Sequence, residues 1–141
     1  MSAMVKGGAP VVFWLTLRFC CRLIRALTGY LERSVSQPGL VDMGWLLSCQ
    51  QRDAEWQQEP SEPVDLCAGA SLVLLYRVDL SFSAERVALL FPLAGGDEAL
   101  LQMSLLELRQ WLAIVYRQFQ RAGWPLEVWP EWFTLVESGR N

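Results

Sequence analysis

Four cysteines are the most reactive side chains of the chain, and their spacing argues against a metal site. They are Cys20, Cys21, Cys49 and Cys67, and no two of them form a CxxC pair. Structural zinc sites use cysteine and histidine at short, regular spacings, and this chain has no histidine. We therefore predict free thiols and no bound metal. Cysteine catalysis would need a concave pocket around Cys20, Cys49 or Cys67.

The absence of histidine also removes most familiar catalytic sites. Without imidazole there is no Ser-His-Asp or Cys-His nucleophilic site and no imidazole acid–base catalyst. The stretch "AGGDEA" has neither the spacing nor the lysine of a phosphate-binding loop. A carboxylate pair could act as acid and base, but the acidic residues cluster in segments with loop character. The sequence thus predicts a protein that is not an enzyme and holds no cofactor.

Arginines recur at helical spacing in two predicted helices, which makes them candidates for phosphate contacts. The two rows are Arg18, Arg22 and Arg25 in the first, and Arg109, Arg117 and Arg121 on the solvated side of the second. Trp14 or Trp111 could stack on bases beside them. The alternative is that these are ordinary solvated faces, since arginine outnumbers lysine eleven to one. The net charge of −3 and the pI of about 4.9 favour that alternative.

The C-terminal stretch "RAGWPLEVWPEWF" concentrates aromatic side chains around two prolines. Trp124 follows a predicted helix stop, where a residue commonly packs back on the last turn. The prolines and the weak alternation predict no regular element beyond it. Trp129, Trp132 and Phe133 either pack within the chain or form a partner interface, because Trp and other aromatics are enriched at binding hot spots. We retain these three residues as the candidate partner interface.

The composition favours an interaction module over an enzyme. Hydrophobic residues make up 52% of the chain and charged residues only 19%, so some apolar surface is expected to face a protein partner or a second copy. The apolar run from Ala9 to Leu17 stops at Arg18, which is too short to span a bilayer. We expect a cytoplasmic, bacterial adaptor, assembly factor or chaperone-like protein that self-associates. A nucleic-acid-binding regulator is the alternative hypothesis.

The first half of the chain contains one clear helix. Residues 11–17, "VVFWLTL", favour a short buried strand, although a single longer helix from Pro10 is the competing interpretation. Thr16 is a candidate N-cap for a helix over about 17–33. Its buried face is predicted to contain Phe19, Leu23, Leu27, Tyr30 and Leu31. A weaker helix is predicted from Asp42 to about Gln57.

A β-hairpin is predicted over residues 72–83 and 86–93. Alternation places Leu74, Tyr76, Val78, Leu80 and Phe82 on one face of the first strand. A turn at 83–86 then pairs Phe82 with Val87 and Leu80 with Leu89, since a one-residue slip would break the apolar match. Pro92 cannot donate to a ladder, so the second strand should end there or lie at an edge.

The last helix is predicted over 104–123, from the capping box of Ser104 and Glu107 to a stop at Gly123. Together these elements predict an α+β fold with two layers. A small antiparallel sheet, made of the hairpin and strand 11–17 if it joins, would be covered by the helices at about 17–33 and 104–123. We expect one compact domain over 1–134, a mobile acidic loop at about 57–65 and a disordered tail over 135–141.

Overall fold

The computed structural model describes residues 2–4, 10–35, 43–58, 71–75, 77–93, 96 and 98–138. Helices and strands are mixed along the chain, which confirms the α+β class. Where one compact domain was predicted, the chain separates into two compact units. The first unit comprises residues 1–20 and 60–103, and the second comprises 21–59 and 104–141.

A three-stranded sheet in the first unit is built from β1 (Ser2–Met4), β2 (Pro10–Leu15) and β3 (Ser71–Leu75). The strand predicted at 11–17 is therefore present as β2, and the competing long helix from Pro10 is absent. β2 pairs antiparallel with β1 and parallel with β3. A parallel pair requires a long connection between its strands, and here about 55 residues separate β2 from β3.

The second sheet contains β4 (Asp79–Phe82), β5 (Arg86–Pro92) and β6 (Glu98–Ser104) in that order. The predicted hairpin register is confirmed, with Phe82 opposite Val87 and Leu80 opposite Leu89. At the turn the Ser83 amide donates to the Arg86 carbonyl over 2.9 Å. β5 ends at Pro92, as the missing amide hydrogen predicts.

The predicted strand 72–83 is not continuous, and this corrects its predicted core face. Its first part is β3 and its last part is β4, which belong to different sheets. In β3 the side chain of Leu75 is buried, while that of Leu74 is exposed. In β4, Leu80 is half-buried and Phe82 is exposed. Each strand takes its own inward face from its own sheet, so one alternation cannot extend across the break.

β6 was not predicted, although its sequence alternates. Ala99 and Met103 are buried, while Leu100 and Gln102 between them are exposed. The period of two is the ordinary signature of a half-buried strand. Sequence reasoning assigned no element between the hairpin and the helix at 104–123, because the glycines of "AGGDEA" are typical of a loop.

The second unit is helical, comprising α1 (Leu17–Ser34) from Cys21 onward, α2 (Met43–Trp56), α3 (Leu105–Ala122) and α4 (Glu131–Ser138). α1 begins as predicted, because the Thr16 hydroxyl oxygen accepts from the Phe19 amide at 3.1 Å. Its predicted inner face is confirmed by the buried side chains of Leu23, Leu27 and Leu31.

α3 is bounded by the signals that predicted it. The Ser104 hydroxyl accepts from the Glu107 amide at 3.2 Å, and the Glu107 carboxylate accepts from the Ser104 amide at 3.3 Å. Gly123 closes the helix in the left-handed region, with φ of 68°. Leu108, Leu112 and Phe119 face inward. Local sequence chemistry therefore determines both ends of this helix.

α4 corrects the prediction for the C-terminal segment. The Pro130 carbonyl accepts from the amides of Phe133 and Thr134 at 3.0 and 3.3 Å, so Pro130 stands at the start of a helix instead of preventing one. Residues 135–138, predicted to be disordered, form its last turn. Residues 139–141, and the predicted acidic loop from residue 59 onward, lie outside the described residues.

Candidate functional site

The predicted partner interface of Trp129, Trp132 and Phe133 is buried within the chain. Their side chains are only 4, 6 and 2% exposed. The Trp129 ring packs edge-on against Tyr116 of α3 at 5.1 Å between centroids, and Phe133 packs on Trp129 at 4.7 Å. Such edge and tilted contacts are typical of aromatic cores. The assignment of these three residues to a partner interface is therefore corrected: they form the core of the second unit.

Two further contacts complete this aromatic core. Trp132 donates its indole hydrogen to the Glu32 carboxylate at 3.0 Å, which ties α4 to α1. Trp124 packs edge-on against Phe119 at 5.0 Å, and its amide donates to the Phe119 carbonyl at 3.0 Å. The prediction that Trp124 folds back on the last turn of α3 is thereby confirmed.

Arg109 is not on the solvated side of α3, where it was predicted. It is 6% exposed, and its Nη2 donates to the Gln50 side-chain oxygen of α2 at 2.8 Å. At about 100° per residue, Arg117 and Arg121 lie roughly 80° and 120° around the helix from Arg109. The three therefore do not form one row, and Arg109 is not accessible to a phosphate. Burial lowers the pKa of Arg109 to about 10 because the charged form loses its hydration.

The other predicted arginines are exposed: Arg18, Arg22 and Arg25 on α1, and Arg117 and Arg121 on α3. None of them forms an ion pair with a residue that the structure describes. The first three follow at steps of four and three and therefore share one helix face. Trp111 is half-buried, and the side chain of Trp14 lies outside the described part of the chain.

The largest exposed aromatic side chains of the described residues lie on α2. Trp45 is 62% exposed and Trp56 is 83% exposed. Cys49, which is half-buried, and Arg52, which is exposed, fall between them at steps of four, three and four. These four residues, called here the α2 stripe, occupy one helix face about 16 Å long. Sequence reasoning placed α2 but did not identify its outward face, because the buried residues follow a loose register.

Hydrogen bonds to α3 determine which face of α2 points outward. Gln51 is fully buried and donates its amide to the Arg109 carbonyl at 2.8 Å. Gln110 donates to the Ala54 carbonyl at 3.0 Å. With the Arg109–Gln50 bond, these contacts form a polar seam between α2 and α3. Because hydrogen bonds are directional, the seam sets the rotation of α2 about its axis and turns the α2 stripe away from α3.

The residues that the structure describes contain no cluster of metal ligands. Cys20, Cys21 and Cys49 form no disulfide with one another, and Cys67 lies outside the described ranges. Within those ranges no group of three His, Cys, Asp or Glu side chains is placed to hold a metal ion. In the same residues no helix has the length and apolar character that a bilayer crossing requires.

Comparison with known proteins adds no relative. No protein-family model matches the chain, and searches of curated proteins and of solved structures gave no significant match. The α2 stripe therefore stands on its own geometry as the candidate functional site.

Proposed function

We propose that this chain is a non-enzymatic protein-interaction module whose binding surface is the α2 stripe. The observation that carries the proposal is the exposure of Trp45 and Trp56 on the same face of one helix, with Arg52 between them. Tryptophan and arginine are the residue types most enriched at the energetic centres of protein interfaces. The predicted interaction function is kept, while its predicted location at the C-terminal aromatics is replaced.

The exposed area of Trp45 and Trp56 is large enough to support a binding surface. A tryptophan side chain buries up to about 250 Å². The exposed fractions of Trp45 and Trp56 therefore leave roughly 300–360 Å² of mainly aromatic surface in water. At about 25 cal/mol per Å², covering it yields roughly 8 kcal/mol before the entropic cost of association is subtracted. That gain is large enough for the two tryptophans to be the dominant contacts of an interface.

Site-specific photo-crosslinking tests the proposal in cells that produce the full chain. A benzophenone amino acid is placed at Arg52, within the α2 stripe, and in a matched control at Gln118, an exposed position of α3. We expect protein adducts from position 52 and few from position 118, with mass spectrometry identifying the captured chain. Equal yields at the two positions, or no protein adduct at position 52, would contradict the proposal.

The arginine face of α1 supports a second candidate, the binding of nucleic acid. Arg18, Arg22 and Arg25 are exposed, share a face and form no ion pair with the described residues. Three phosphate contacts on duplex DNA predict a slope of about −3 for log K against log salt. Titration of labelled DNA and RNA at two salt concentrations measures it, with Arg22→Gln as the variant and Arg117→Gln as the control. A lack of binding at low salt removes this candidate.

A further inference from the structure

We propose that the partner of the α2 stripe is a second copy of this chain, bound through an antiparallel pair of α2 helices related by a two-fold axis. This inference rests on the proposed function and names the occupant of the same surface. It follows from the spacing of the α2 stripe, from the chemistry of its residues and from the area that the stripe leaves exposed.

The spacing of the α2 stripe is that of a contact face in a two-helix coiled coil. Steps of four, three and four are those of alternating a and d positions in a heptad repeat, which keep one face toward a partner helix. The stripe is also symmetric about its midpoint between residues 50 and 51. Trp45 and Trp56 lie equally far from that point on either side, and so do Cys49 and Arg52. A two-fold axis through the midpoint therefore gives a self-complementary, closed pairing.

The residue types favour the antiparallel orientation over the parallel one. Antiparallel pairing places Trp45 opposite Trp56 of the second copy, where the rings can stack offset or edge-on. It also places Cys49 opposite Arg52 of the second copy, so the two guanidinium groups fall in different layers. Parallel pairing would set Arg52 directly against Arg52 and bring like charges together, which is destabilising. The exposed carboxylate of Asp53, adjacent to Arg52, further lowers the net positive charge at the contact between the two α2 helices.

The exposed area predicts a dimer of modest affinity. The two tryptophans contribute roughly 300–360 Å² per chain, against about 800 Å² per partner in an interface of standard size. The α2 stripe is thus the centre of a small interface, and the exposed Asp53 lies at its margin. We expect dissociation in the micromolar range, so association should depend on protein concentration.

Light scattering after size exclusion, at loading concentrations from about 1 to 200 µM, tests the association. The intact chain is expected to move from monomer to dimer across this range. Trp56→Ser should lower the dimer fraction at 200 µM at least about tenfold, whereas Ile114→Ser, an exposed apolar residue of α3, should leave it unchanged. A monomer at every concentration, or a Trp56→Ser dimer as stable as the intact one, would overturn the proposal.

Disulfide trapping tests the orientation. A chain carrying Cys49→Ser and Arg52→Cys is mixed under mild oxidation with the unmodified chain, which bears a mass tag. Antiparallel pairing places Cys49 of the tagged chain opposite the introduced thiol at position 52, so a disulfide heterodimer should form. Peptide mapping separates this bond from bonds to the remaining cysteines. The doubly substituted chain is also oxidised alone, and its dimer linked by a disulfide between the two residues at position 52 is quantified. If this yield equals or exceeds that of the heterodimer linked between positions 49 and 52, the helices pair in parallel and the assigned orientation is overturned.

The two proposals fail separately. A monomeric purified chain that nonetheless gives adducts with a different protein from position 52 would refute self-association and support the interaction module. A monomeric chain without adducts at position 52 would refute both.

Discussion

Replacing Arg109 with methionine is expected to raise the stability of the protein at neutral pH, although it removes a charge and a hydrogen bond. The Arg109 guanidinium is buried and forms no ion pair with a described residue. Its Nη1 has no hydrogen-bond partner among the described residues. A buried charge without an opposite charge opposes folding. Methionine keeps an unbranched, flexible apolar stem of similar reach, so the substitution removes the charge with little loss of packing.

The magnitude follows from the pKa. Burial lowers the pKa of Arg109 to about 10, more than about two pH units below its value for arginine in water. At about 1.4 kcal/mol per pH unit this corresponds to roughly 3 kcal/mol lost on folding with the charge in place. The Nη2 bond to Gln50 at 2.8 Å offsets about 1.5–3 kcal/mol of that loss, as bonds from charged groups do. The Arg109→Met protein should therefore be more stable by about 0–2 kcal/mol, or up to roughly 6 °C in Tm.

Urea unfolding of both proteins, followed by tryptophan fluorescence from pH 7 to pH 11, measures this difference. The folded pKa of Arg109 lies below the unfolded one, so above about pH 10 the unfolded state binds more protons. The original protein then gains stability as pH rises through that window, and the advantage of Arg109→Met should shrink. Burial raises the pKa of Tyr30 and acts in the opposite direction, but it acts in both proteins and cancels in the comparison.

Arg109→Ala is the companion variant, because it removes the stem as well as the charge. It should be less stable than Arg109→Met by about 2 kcal/mol, the typical effect of an added cavity. The reasoning is refuted if Arg109→Met loses more than about 1 kcal/mol at pH 7. That result would mean that an opposite charge in the native protein compensates the Arg109 guanidinium, and that this charge stabilises the polar seam between α2 and α3.

Three further predictions concern the local signals and the aromatic core. Ser104→Ala should lower the free energy of unfolding in urea by about 1 kcal/mol, because it removes the N-cap of α3. Ser81→Ala, at an exposed position of β4, is the control, and equal losses for the two variants would contradict the role of the cap. Gly123→Ala should cost about 1 kcal/mol from its positive φ alone, since a Cβ there meets nothing within 4 Å; an unchanged Tm would be inconsistent with the left-handed cap. Trp129→Ala should lower the free energy of unfolding by about 3–5 kcal/mol, because it truncates a core residue. Trp56→Ala should change the unfolding free energy of the monomer by no more than about 0.5 kcal/mol. Similar losses for the two variants would contradict the assignment of Trp129 to the core and Trp56 to the surface.

The elements that sequence reasoning predicted correctly have signals that are local. The capping box of Ser104 and Glu107 and the stop at Gly123 act within a few residues of the helix ends they define, so α3 is bounded without reference to the rest of the chain. The register of β4 and β5 is likewise determined by a short turn and by apolar residues that face each other across it. In each case the physical cause lies within the segment that displays the pattern.

The errors arose where distant residues decide the outcome. Arg109 was assigned to solvent from its chemical type, whereas contacts with Gln50 and Gln51, more than fifty positions away, bury it. β3 and β4 were joined because nothing local shows that they pair in different sheets. Trp129 belongs to the core because its ring packs against the rings of Tyr116 and Phe119, which the sequence pattern around Trp129 does not indicate. Residue type alone does not distinguish a tryptophan that completes a core from one that awaits a partner.

The excess of apolar residues predicts a surface for a partner, and the burial of Trp129, Trp132 and Phe133 means that this prediction needs another location. Once Trp129 and Trp132 are buried, the largest exposed aromatic area of the described residues lies on α2, at Trp45 and Trp56. An apolar contact between α2 and α3 would tolerate rotation of α2 and could bury those rings. The Gln51 bond to the Arg109 carbonyl restricts that rotation, because a turned helix would leave two buried polar groups unpaired. The buried polar seam thus lowers stability at Arg109 while it keeps the α2 stripe facing outward, and these two effects have one structural cause.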